Sequence, residues 1–447
     1  MKKIYILGLM AAMFASCKPN LKPEKPSAGH DVDFSRYVAV GNSLTAGYAD
    51  GSLYRTGQVN SYPAILAEQL KLVGGGEFRQ PLLPGDYGFP GPRMVLSMYK
   101  GTCDTTAMLT PRPYTGALDT IGSSVNIYKE NGPFNNTGIP GIRAIDYLVP
   151  GYANYNPYAK RMFVAAGSRP IDEVVLAQPT FFTLWIGAND VLGYATAGGD
   201  QAPQNQAGTT NITPPVYFDI AYDSVLTRLK RNGAQGVCLN IPDITSIPFF
   251  TTIKANGLVL TKNDAQLLNN AYNSLSGFIR FEAGNNYFII EDTTVPVIKF
   301  RHIKDGELIL LADNSGTISL SDSIKCAGWG TKKPIPGRYV LTADEISKIR
   351  STTTTYNAVI ATHAAKENLA VVDINSYMAT LQSGITYNGT TFTPQFVSGG
   401  AFSLDGVHLT PRGYALVANQ IIMTINSKYG STIPLVDVNK YRGVQFP

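Results

Sequence analysis

Five short apolar runs, each bounded by turn-forming residues, punctuate the chain at 37–40, 181–185, 236–241, 287–290 and 369–374. They are continuous rather than alternating, the pattern of strands buried on both faces in a parallel sheet. Between them, apolar positions recur at helical spacing over 62–72, 216–231, 262–282 and 343–367. The last of these follows Thr342, with Glu345 three residues on, the spacing of a capping box. Strands alternating with helices predict an α/β chain whose mainly parallel five-stranded sheet is covered by helices on both faces. Right-handed crossovers then line up the strand C-termini, and with them the ligand crevice, along one edge.

Three stretches break this rhythm, 84–135, 294–340 and 384–400, all rich in Gly, Pro, Thr or Asn. Loops of this length in a compact domain usually serve a function, so they are expected to be insertions that shape a substrate mouth. Small β-appendages with a packing role are the alternative. Tyr147, Tyr152, Tyr155 and Tyr158 crowd one Pro- and Gly-rich stretch. Their rings suit sugar or acyl groups near a crevice, or the packing of a long loop.

The N-terminus has its own pattern. Lys2 and Lys3 precede an apolar run over 4–14, which suits a signal-peptide core and is well short of the ~20 residues that span a bilayer. Ala15 and Ser16 then lead to Cys17. Small residues before a cysteine resemble a bacterial lipoprotein cleavage site, which implies a signal peptide over 1–16 and a lipid on Cys17. Residues 18–33, with Pro19, Pro23 and Pro26 and mixed charge, read as a tether. The division expected is therefore a lipidated tether over 17–35 and a folded body over 36–447. The expected location is the cell envelope, at the bacterial outer membrane, facing periplasm or exterior.

Composition narrows the chemistry. A 447-residue chain that is 44% hydrophobic and 15% charged has ample material for a large core. Its formal charge of +5, which drops further if Lys2 and Lys3 are removed, is too small to argue for nucleic acid. The four histidines, at 30, 302, 363 and 408, are scattered and the cysteines form no Cys-x-x-Cys pair, so neither a metal nor any other cofactor is expected. Cys238 lies in an apolar run and reads as a buried thiol, while Cys103 and Cys326 are candidates for a disulfide in an oxidising compartment.

Three motifs fall at predicted strand ends. Ser43, in a Gly-rich turn after the first strand, has its hydroxyl where a following helix start favours negative charge. Asn189, after the second strand, offers an amide donor to the crevice. Near the C-terminus, Thr410 and Pro411 mark a helix start, so His408 lies on the loop before it and Asp405 can fix its tautomer. Each motif alone has a plain structural reading: a turn serine, Asp190 capping a helix beside Asn189, and a surface Asp–His turn.

Together, in this order, the motifs resemble the SGNH (GDSL-type) hydrolase family. The resemblance implies a three-layer α/β/α flavodoxin-like fold, and it spans 36–428 as scattered anchors, with the insertions outside it. It implies a serine ester hydrolase (an esterase, lipase or acetylesterase) with Ser43 as nucleophile and Asp405 and His408 completing a triad. An oxyanion hole would comprise Ser43, Asn189 and a glycine amide, for which Gly141 is the better match and Gly138 the reserve. Two departures stand out: Asn42 replaces the family's usual Asp before the serine, and the glycine block is displaced by the insertion after residue 83. The expected substrate is a carboxylic ester of an envelope or extracellular lipid or an acylated glycan, and the expected membrane partner is reached through Cys17. A non-catalytic glycan- or lipid-binding lipoprotein on the same fold, and an acyltransferase using the same residues, are the rival readings.

Overall fold

The computed structural model describes residues 25–101, 103–119, 122, 124–201, 210–312 and 320–446. The proposed signal segment, Cys17 and most of the tether lie outside the described residues. Five strands build the central sheet: β1 Tyr37–Gly41, β2 Asn136–Gly138, β3 Phe181–Trp185, β4 Gln235–Leu239 and β5 Ala370–Val372. Their spatial order is β5-β4-β3-β1-β2, and every neighbouring pair is parallel. This is the flavodoxin-like order 2-1-3-4-5, in which the chain reverses direction between β1 and β3 and opens a crevice outside their C-terminal ends.

Four of the five predicted runs are in this sheet; 287–290 is not. It contributes to Ile289–Glu291, which pairs antiparallel with Phe300–His302 and buries its side chains in small cores of its own. The remaining place is taken by β2, a polar strand with no apolar signal. Its side chains are satisfied internally: Asn136 Nδ2 donates to the Thr45 carbonyl at 2.9 Å and Thr137 Oγ1 to that of Ala39 at 2.9 Å. Buried polar groups are tolerated when so paired.

The helices that matter for the site are α1 Ser43–Ala46, α2 Tyr62–Lys71, α3 Asn189–Thr196, α4 Pro215–Lys230, α5 Ala343–Lys366 and α6 Pro411–Tyr429. Helix α2 packs on α6 and α4 on α5, and right-handed crossovers running in opposite directions from β1 place the two pairs on opposite faces of the sheet. Thr342 and Glu345 form the expected capping box, and Thr410 caps α6 through the Gly413 N–H. The helical pattern over 262–282 is cut short at Lys262–Ala271. Asn269 bonds both the N–H and the carbonyl of Phe281, each at 2.9 Å, and folds the chain back. Among the described residues, no helix is long and apolar enough to cross a membrane.

The insertions carry local β-structure. The first holds the hairpin Met94–Tyr99 with Met108–Pro113, and the last pairs Ile385–Tyr387 with Thr390–Phe392. The middle one includes the helix Leu320–Ala327, and a disulfide from Cys103 to Cys326, with Cα atoms 5.5 Å apart, ties it to the first. Lys325 Nζ reinforces that junction at 3.2 Å from Asp104. Cys238 is a free, buried thiol whose pKa burial pushes up to about 12.

Of the four crowded tyrosines, Tyr147 is fully buried and donates to the Gly41 carbonyl at 3.1 Å. Tyr158 packs edge-on to Tyr48 and Phe89, whereas Tyr155 is 82% exposed.

Candidate active site

Gly41 ends β1 in a space that only glycine fits, since a Cβ there would lie 2.0 Å from Thr45 Oγ1 and 2.7 Å from the Trp185 carbonyl oxygen. That closeness lets the chain turn at once into α1 and present Ser43 as its first residue. Asn42 caps this turn, its Oδ1 accepting the Leu44 N–H at 3.0 Å. At 2% exposure, a carboxylate here would carry a desolvation cost that the neutral amide avoids while supplying the same acceptor. The departure at residue 42 thus leaves the turn's hydrogen bonding intact.

The loop before α6 brings His408 to Ser43. Ser43 Oγ donates to His408 Nε2 at 2.8 Å, and His408 Nδ1 donates to Asp405 Oδ2 at 2.8 Å. Both side chains of the Asp–His pair are largely buried, 11% and 14% exposed. Asp405 is held on all sides. Its Oδ2 also accepts the Gly51 N–H at 2.9 Å, and its Oδ1 accepts the Val407 and His408 N–H groups at 2.8 Å and the Ser403 hydroxyl at 3.1 Å. Burial opposes ionisation, yet His408 and the two amides hold the carboxyl well below the usual carboxylate range. An anion at Nδ1 keeps the proton there and leaves the Nε2 lone pair facing the serine.

Three candidate donors, the Ser43 and Gly141 N–H groups and the Asn189 amide, follow adjacent strand ends. Gly41 is in register with Gly138 of β2 and with Trp185 of β3, so the residues that follow leave adjacent strand ends. Gly141, at φ +84°, turns the loop after β2, and neither its N–H nor that of Ser43 has an acceptor among the described residues. Gly138 differs, because its N–H is taken by Asn136 Oδ1 at 3.0 Å. Asn189, the first residue of α3, gives one Nδ2 hydrogen to the Ile142 carbonyl at 2.9 Å and retains the other. Its bond therefore runs to the glycine loop and not to its own backbone.

Several residues that support this arrangement were not read as site residues from the sequence. Asp190 does not cap α3 from its N-cap position, which is Ala188. It is fully buried, and its Oδ2 accepts the Ala144 N–H at 2.8 Å. Asn189 and Asp190 thus brace the loop that bears Gly141 at two points. Burial pushes the Asp190 carboxyl up to about 7, against the opposing pull of the Ala144 amide. Behind the Asp–His loop, Asp50 accepts the Leu404 N–H at 3.0 Å, and its own N–H donates to Ser403 Oγ at 3.0 Å. Tyr48 lays its ring 4.5 Å from the imidazole and anchors its hydroxyl on the Gly51 carbonyl at 2.6 Å. The one local clue was the Asp50–Gly51 dipeptide, a turn signal; that the turn faces residue 405 is a tertiary fact.

The chain matches the sequence model of the GDSL-like lipase/acylhydrolase family over residues 37–421. Among solved structures, an extracellular lipase from Streptomyces rimosus is similar at 14% identity, with a TM-score of 0.32, over 89% of this chain and 99% of that one. No protein among the curated ones matches significantly.

Proposed function

We propose a mechanism for a chain that belongs to the GDSL-like lipase/acylhydrolase family and is an SGNH-type ester hydrolase. Ser43 is the nucleophile, His408 the general base and Asp405 the group that orients it; the observation that carries this is the 2.8 Å bond from Ser43 Oγ to His408 Nε2. His408 takes the hydroxyl proton as Ser43 Oγ attacks the ester carbonyl. The resulting oxyanion receives hydrogen bonds from the Ser43 and Gly141 N–H groups and from Asn189 Nδ2. His408 then gives its proton to the departing alcohol, and water, activated by the same imidazole, releases the acid from the acyl-enzyme. Asp405 stays ionised throughout and stabilises the imidazolium.

Asn189→Ala removes one side-chain donor from the oxyanion and also unties the Ile142 carbonyl. Its kcat is expected to fall by about 10²–10³ with KM little changed. Steady-state kinetics on a chromogenic ester give the answer, and an unaltered kcat would take Asn189 out of the oxyanion hole.

The substrate is a carboxylic ester of an envelope or extracellular lipid or of an acylated glycan. Supporting this is the aromatic Tyr48, whose ring lies 4.5 Å from the His408 imidazole. A panel of p-nitrophenyl esters of rising acyl length separates the two classes: a cutoff after the shortest chains indicates deacetylation, sustained turnover a lipase. Failure to cleave any of them would refute the substrate reading. Acyl transfer to an added alcohol in preference to water would reassign the second step.

The enzyme acts at the cell envelope, anchored by a lipid on Cys17. The pattern of Lys2 and Lys3, an apolar run and small residues before that cysteine supports this placement. Metabolic labelling with an alkyne fatty acid should tag the protein and miss Cys17→Ser, and equal labelling of both would sink the anchor.

A further inference from the structure

A cavity of about 280 Å³ opens beside the catalytic loop, walled by Ser403 and Leu404, the first-insertion hairpin and the chain's last residues. None of Ser43, His408, Gly141 or Asn189 lines it, so its occupant is separate from the reacting ester. Arg93 dominates one wall. Its guanidinium carbon lies 5.2 Å from the ring centroids of both Tyr54 and Tyr114, and its Nε donates to the Asp86 carbonyl at 2.7 Å. Its terminal nitrogens have no acceptor among the described residues. Arg442 lines the same space, and together with Arg93 it opposes the rise in the Tyr54 phenol's pKa. The one carboxylate present, Asp50, is engaged elsewhere: its oxygens accept the Tyr54 hydroxyl at 2.6 Å and the Leu404 N–H at 3.0 Å, and no ion pair forms with either arginine. The cavity is therefore net cationic. Met94, Leu96, Val444 and Phe446 form an apolar stretch of the remaining wall, beside the polar Ser403, Thr410 and Gln445.

We infer that this cavity binds a small amphiphilic carboxylate, a free medium-chain fatty acid, with the carboxylate on Arg93 and Arg442 and the chain along the apolar wall. Two guanidiniums facing one carboxylate that is already hydrogen-bonded select an anion, and planar guanidinium forks match the geometry of a carboxylate. The volume, at the low end of ligand pockets, selects a short body. The site does not depend on catalysis, so it is tested in Ser43→Ala protein by isothermal titration with octanoate, with 1-octanol as the uncharged control. Octanoate is expected to bind, and 1-octanol to bind at least about tenfold more weakly. Arg93→Met and Arg442→Gln are each expected to weaken octanoate by about tenfold or more. Arg442 is exposed, so its replacement leaves the fold intact and decides the question should Arg93→Met misfold. Absence of octanoate binding up to about 10 mM, equal affinity for 1-octanol, or affinity unchanged by Arg442→Gln would each overturn the assignment.

Discussion

Replacing Ser43 with alanine is expected to lower ester turnover by about 10⁶-fold while leaving the melting temperature within a degree or two of the parent. The first effect follows from removing the atom that forms the acyl-enzyme; with no nucleophile in reach of His408, only binding and the oxyanion donors remain, a residual about 10³–10⁴-fold above the uncatalysed rate. The second follows from what Ser43 touches. Its hydroxyl makes one hydrogen bond, to an imidazole that Asp405 already holds, and the turn is set by Gly41 and by the Asn42 cap instead. Activity on a chromogenic ester, loss of fluorophosphonate labelling and a thermal melt together read out both halves. Substantial hydrolysis by Ser43→Ala would reject the mechanism outright.

Asp405→Asn should lower kcat by about 10⁴, the next largest loss. The aspartate accepts hydrogen bonds from Gly51, Val407, His408 twice and Ser403, and it donates none. An asparagine can keep its oxygen toward Val407, His408 N–H and Ser403 only by turning its NH2 toward Gly51 N–H and His408 Nδ1. Two donors then face each other at Gly51, and Nδ1 must become the acceptor. The imidazole proton moves to Nε2, which no longer accepts from Ser43. Kinetics should show the fall in kcat, and proton NMR should show loss of the low-field Nδ1–H resonance. Wild-type kcat in Asp405→Asn would mean that the carboxylate serves only to shape the loop.

What the sequence revealed of this protein divides along physical lines. Strands buried on both faces wrote themselves as continuous apolar runs, so β1, β3, β4 and β5 were legible, as were the caps at Thr342 and Thr410. Strand β2 was not, because Asn136 and Thr137 are buried by pairing their polar atoms within the fold rather than by being apolar. The run over 287–290 misled for the converse reason: it is apolar because it faces a local core, and periodicity carries no information about which core. At the site, Ser43, Asn189, Asp405 and His408 announced themselves by residue type and by position at element ends. Gly51, Ser403 and Asp190 did not, since each acts through a contact with a residue distant in the chain or fixed only by packing. That the Gly138 N–H is taken by Asn136 Oδ1 was likewise not readable from the sequence.

The Cys103–Cys326 bond joins residues 223 positions apart, and a crosslink closing so long a loop constrains the unfolded chain by about 5 kcal/mol in the chain-entropy picture. It sits away from the triad but at the tip of the hairpin whose Met94 and Leu96 form the apolar wall of the cationic cavity. Thiol–disulfide chemistry in the surroundings therefore acts on the protein's periphery and its centre unequally. Reduction releases the tie between the first and middle insertions, whereas the Ser43–His408–Asp405 line, built on the central sheet, contains no group that a reductant can touch.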